Sequence, residues 1–119
     1  MFDKQFFDEL EGRLEKYFQH FPSAERAGVI INTYHGDEFL LVGIIDLDDR
    51  FIVFGHWPME NADIPRQWKN PKNSLPAITL SYSDIRSVEF DPKVVRGSEI
   101  GFTKNESVKM KQQPPSPQS

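Results

Sequence analysis

Apolar side chains recur every three to five residues at the start of the chain, at Phe2, Phe6, Phe7, Leu10, Leu14, Tyr17, Phe18 and Phe21. Asp8, Glu9, Glu11, Arg13, Glu15 and Lys16 fill the positions between them. This spacing predicts one amphipathic helix with an aromatic stripe. Asp3 suits its N-cap, because a carboxylate there accepts from a free first-turn amide and meets the positive end of the helix. Pro22 ends it. Glu9 and Arg13 stand in the favourable i, i+4 order, whereas Glu11 and Glu15 repel by a similar few tenths of a kcal/mol. The stripe, packed on the rest of the domain, therefore carries the stability of the helix.

From Gly28 the period changes to an extended one. Val29–Tyr34 is β-branched and aromatic, and His35-Gly36-Asp37 supplies a turn. Phe39–Ile45 is apolar on both faces and reads as a central strand, with Gly43 marking a bend or bulge. Asp46–Asp49 makes the next turn, and Arg50–Trp57 returns as a third strand, completing a meander. Between Pro58 and Pro76 the composition shifts to Pro, Asn, Lys and Asp, which predicts a long surface loop. Ala77–Tyr82 and Arg86–Phe90 read as strands four and five, joined by one tight turn at Ser83-Asp84-Ile85. Asp91-Pro92 closes the regular structure, and Ile100-Gly101-Phe102 is an apolar clip that can dock back.

The expected organisation is thus one domain, residues 1–102, mainly β with one N-terminal α-helix. The stretch from 103 to 119 lacks aromatics and finishes Pro-Pro-Ser-Pro-Gln-Ser, which predicts a disordered C-terminal tail. At 119 residues, a second domain has no room and a core without staples is feasible. With no cysteine, thiol catalysis, thiolate zinc sites and disulfides are excluded. The net charge of −4 and a pI near 5.3 argue against a surface that is basic throughout. Residues 1–21 contain no continuous apolar stretch, so neither a signal segment nor a membrane span is expected, and the reading is a soluble, cytoplasmic protein.

A helix, three meandering strands, a loop and two strands joined by a one-turn link resemble the Sm-like and SH3-like small β-barrels over roughly residues 2 to 90. Val29–Gly36, followed by Gly43 and Asp48, is similar to the first Sm motif, and Val95-Arg96-Gly97-Ser98-Glu99-Ile100 to the Arg-Gly signature of the second, although that segment follows strand five. The resemblance implies a five-stranded, strongly bent antiparallel sheet closed into a small barrel. Asp49-Arg50-Phe51 stands where Sm proteins carry a base-reading Asn, so RNA reading by that route is not implied.

Candidate chemistry is sparse. Asp46, Asp48 and Asp49 offer oxygen ligands, but Phe51 and Trp57 occupy positions where a calcium-binding loop of the EF-hand type needs Gly and Glu. His20, His35 and His56 share no paired-ligand spacing, and neither a Gly-x-Ser-x-Gly elbow nor a glycine-rich phosphate loop occurs. The expectation is a protein that is not an enzyme and that uses no cofactor and no metal. Trp57, Arg66, Trp68, Lys69 and Lys72, with Arg86 and Arg96, interleave aromatic faces and cations, the pattern that stacks bases, pairs phosphates or anchors a protein partner.

Two functional readings follow. The first is a non-enzymatic small-barrel module for protein interaction or homo-oligomeric assembly, joined through strands four and five with Tyr82 and Phe90 near the seam. The second is RNA or single-stranded nucleic-acid binding through the Trp/Lys/Arg set. Self-association or another protein is the expected partner, with no membrane.

Overall fold

The computed structural model describes residues 1–58, 76–92, 101–104 and 106–110, with backbone alone at Trp57 and Pro58. Within these residues the fold is mainly β, with helical structure confined to the N-terminus apart from one 3-10 turn.

Two helical segments, α1 (Lys4–Asp8) and α2 (Leu10–His20), stand where one helix is expected. Only Glu9 leaves helical geometry, with ψ near 6°. The hydrogen-bond ladder nevertheless runs through it: Glu9 N–H donates to the Gln5 carbonyl at 3.0 Å, and Arg13 N–H to the Glu9 carbonyl at 3.1 Å. Asp3 caps the start, accepting from Phe6 N–H at 2.9 Å. Pro22 follows the last turn, whose final bond runs from Phe21 N–H to the Tyr17 carbonyl. Phe7, Leu10, Leu14 and Phe18 are buried, so the stripe faces inward. At about 1.5–3 kcal/mol for each large side chain taken out of water, these four outweigh every surface ion pair on the helix.

The strands are β1 (Gly28–Thr33), β2 (Glu38–Leu47), β3 (Phe51–Pro58), β4 (Ala77–Ser81) and β5 (Ile85–Asp91). They form one antiparallel sheet in the order β4-β3-β2-β1-β5. Gly36, at φ +91°, turns the β1–β2 hairpin in the left-handed region that favours glycine. Long strand β2 bends at two bulges, where Val42 and Ile45 have no opposite number on β3, and between them Gly43 faces Gly55. A third bulge puts Arg86 of β5 outside the pairing with β1, so Ile85 and Val88, three residues apart, both point inward.

The β1-β2-β3 meander and a one-turn link between β4 and β5 are as expected, with the link at Tyr82–Asp84 and not at Ser83-Asp84-Ile85, but the sheet is not closed into a barrel. Among the described residues no ladder joins β4 to β5. Helix side chains cover the inner face along β5 instead: Phe7 stacks on Tyr82, and Tyr17 meets Phe90 edge to face. No described helix is long and apolar enough to cross a membrane.

The chain after Gly101 belongs to the fold further than its composition suggests. Phe102 and Ala27 exchange backbone bonds of 2.8 and 3.0 Å, and Val108 and Met110 bracket Ile44 with bonds of 2.7 and 2.8 Å. Strand β1 pairs with β2 only over residues 30–32 and 38–40, which leaves the far half of β2 open on that side, and residues 108–110 pair there. Phe102 and Val108 are buried. The Glu11 carboxylate accepts from Ser107 Oγ at 2.5 Å and from Val108 N–H at 3.0 Å, and Lys109 Nζ reaches Asp8 at 2.9 Å. Composition alone assigns residues from 103 onward to a tail; buried Val108 overcomes it as far as residue 110, and the expected tail from 111 to 119 lies outside the described residues. An exposed ion pair such as Lys109–Asp8 contributes about 0–1 kcal/mol, less than burial of Val108.

Gly101 has φ +98°, and a Cβ there would stand 2.9 Å from the Ala27 carbonyl oxygen. Gly101→Ala is expected to destabilise the protein by about 1–3 kcal/mol in urea unfolding. Gly12 lies in open space on α2. Gly12→Ala should stabilise by roughly 0.5–1 kcal/mol in the same measurement.

Candidate functional site

The two outer strands differ in what they present. In β4, Ile78 and Leu80 point inward and pack on the core, while Ala77 and Thr79 are exposed on the outer face beside β3. No residue from Ala77 to Ser81 is charged. Among the described residues, the backbone of β4 is paired on its β3 side alone. In β5, Val88 and Phe90 point inward, and the outward positions include Arg86 and Glu89, both exposed. Charges and a bulge are the usual protections of an edge strand, and β5 has both where β4 has neither.

Tyr82 joins these strands and is 4% exposed. Its ring stacks on Phe7 with centroids 5.9 Å apart, and its hydroxyl donates to the Asp48 carbonyl at 2.7 Å. Its N–H donates to the Arg50 carbonyl. Burial, followed by the negative charges of Asp48, Asp8, Asp3 and Asp49, pushes the phenol up to about 12. Tyr82 is therefore an interior residue, and its side chain is not available to a seam between copies. Phe90 is half-buried, 5.7 Å from Tyr17. Sequence alternation located Phe90 on the correct strand but put Tyr82 at the end of strand four, where it opens the 3-10 link instead, and it did not show that the helix covers them.

Of the Trp/Lys/Arg set, Arg66, Trp68, Lys69, Lys72 and Arg96 lie outside the described residues. Trp57 is described by backbone alone, paired with Leu40. Arg86 is exposed at its bulge. The Asp48 carboxylate accepts from Arg50 N–H at 2.7 Å and shapes the β2–β3 turn. His56 is half-buried, edge to face with Phe39 at 5.0 Å, and His20 and His35 are exposed. Among the described residues no three acidic or histidine side chains are placed to hold a metal ion.

Two features carry no signal in the sequence. Asn32 is buried on the outer face, where its amide donates to Ser87 Oγ at 3.0 Å and to Glu89 at 2.9 Å, tying β1 to β5. An open cleft of about 900 Å³ lies where α2 ends against β5, walled by Tyr17, Phe21 and Phe90. Burial and then the Asp91 charge raise the Tyr17 phenol above its ordinary value. Arg26, at the rim of this cleft, lies 4.0 Å from Glu106. Comparisons with protein families, with curated proteins and with solved structures find no match to this chain.

The Tyr82 proton is held in the folded state to about 12 against an ordinary value of 10.0. Because the unfolded chain ionises first, this stability is complete below pH 10 and is lost as the pH rises toward 12. Tyr82→Phe should cost about 0.5–1.5 kcal/mol at neutral pH through the lost hydroxyl bond. It should also reduce the alkaline decline, read from urea midpoints between pH 8 and 12; an unchanged decline would contradict this role.

Proposed function

We propose that this protein is a non-enzymatic interaction module of the Sm-like and SH3-like small-barrel kind, whose work is association with protein, first of all with itself, through its outer strands. The observation that supports the reading is the uncharged strand β4, whose free side has no backbone partner among the described residues. A row of unmade N–H and C=O groups is a template for another strand, and assembly satisfies them.

Chemistry offers no competing site among the described residues. The histidines are apart, the one buried polar side chain with traced partners on the outer face is tied to β5, and the acidic turn is shaped by its own backbone bonds. The exposed Phe51, on the outer face beside Ser81 of β4, adds apolar surface that contact with protein would cover.

Size exclusion coupled to light scattering, with absorbance at two wavelengths, tests this reading. The expected result is a concentration-dependent oligomer free of nucleic acid. A monomer at every concentration that retains no protein partner would overturn the reading, and an oligomer that forms only with nucleic acid carried along would replace it with the second one.

A further inference from the structure

The two outer strands are not equivalent as templates, and their difference selects a geometry. Strand β5 is guarded by the Arg86 bulge and by exposed Glu89. Strand β4 reads Ala77-Ile78-Thr79-Leu80-Ser81, with no charge, no proline and no bulge in its pairing with β3. It is also self-complementary. Laid antiparallel against a second copy about a two-fold axis at Thr79, it places Ile78 opposite Leu80 on both sides of the axis. Ala77 then faces Ser81, and Thr79 faces Thr79.

Each of these pairs is favourable or neutral. Ile78 and Leu80 are half-buried against the core, so an Ile–Leu pair across the axis would extend that core into the second copy. Thr79 is exposed on the outer face beside Val53, and a β-branched pair at the axis suits a sheet. Phe51, 42% exposed, pairs with Ser81 on β4 and so lies one strand from the joint, on the face where Ala77 of the second copy arrives. No like charges meet anywhere in this register.

We infer that two copies of this chain pair through β4, antiparallel and two-fold symmetric about Thr79, to make one continuous ten-stranded sheet. The occupant of this edge, which has no second backbone partner among the described residues, is thus a second copy of the same strand. This inference rests on the assembly reading above and specifies its partner surface. A joint of five residues is small beside the interfaces of permanent complexes, so the dimer forms and dissociates with concentration.

Three variants of the full chain test the geometry by sedimentation across a concentration series. Thr79→Lys sets two ammonium groups opposite each other and should weaken the dimer by roughly tenfold or more. Glu89→Lys, on the other outer strand, should leave it unchanged. Thr79→Cys introduces the only cysteine in the chain, at the axis, and should give a disulfide-linked dimer on air oxidation. Circular dichroism of Thr79→Lys checks that its monomer is folded. If wild type dimerises but Thr79→Lys does so equally well and Thr79→Cys does not crosslink, the β4 geometry is wrong while the assembly reading survives. If wild type never associates, both fail.

Discussion

Three residues connect the two outermost strands of a five-stranded sheet, and the rest of the fold accommodates that link. In a flat sheet the outer strands would stand roughly 19 Å apart, four spacings of about 4.8 Å. A 3-10 turn rising about 2 Å per residue covers roughly 8 Å from Ser81 to Ile85. A flat arrangement is therefore excluded, and the sheet must curl until the end of β4 approaches the start of β5. The bulges at Val42 and Ile45, with Gly43 facing Gly55, let β2 follow the curl without side chains crowding the bend. Tyr82 fixes the link from inside through its stack on Phe7 and its bond to Asp48.

Curling gives the inner face something to enclose, and the enclosure is completed by the chain termini. The helix runs beside β5, from Phe7 at Tyr82 to Tyr17 at Phe90. Residues 108–110 fill the gap left where β1 departs from β2, Phe102 pairs with Ala27, and Phe102 and Val108 are buried. Glu11 ties the two termini together by accepting from Ser107 and Val108. After these contacts neither outer strand has a second backbone partner among the described residues, and of the two only β4 lacks charges and a bulge. The candidate surface is what the packing leaves over.

Most elements were legible because each has a dominant local period. The Phe7, Leu10, Leu14, Phe18 stripe is a helical repeat, and the Ile78–Leu80 and Val88–Phe90 alternations are strand repeats, so their inward faces could be read directly. Gly43 signalled the bend for a steric reason that operates in any sheet. The open sheet was not legible, since pairing between β4 and β5 depends on where the helix lies and not on the residues of either strand. The pairing of residues 108–110 with β2 is not legible because Val108 and Met110 alternate with Ser107 and Lys109 over only four residues, too short a pattern to stand out from polar surroundings. The burial of Tyr82 is not legible either, because alternation gives the face of a side chain without saying what covers it. The Asn32–Glu89 tie depends on strand register, which no local pattern specifies.

The account's central claim is that the free side of β4 is a site of association. Amide hydrogen exchange, followed residue by residue at low and high protein concentration, addresses it at the backbone itself. The prediction is that amides between Ala77 and Ser81 slow as concentration rises, while those of β5 exchange at a constant rate. Concentration-independent exchange in β4, or slowing confined to β5, would contradict it.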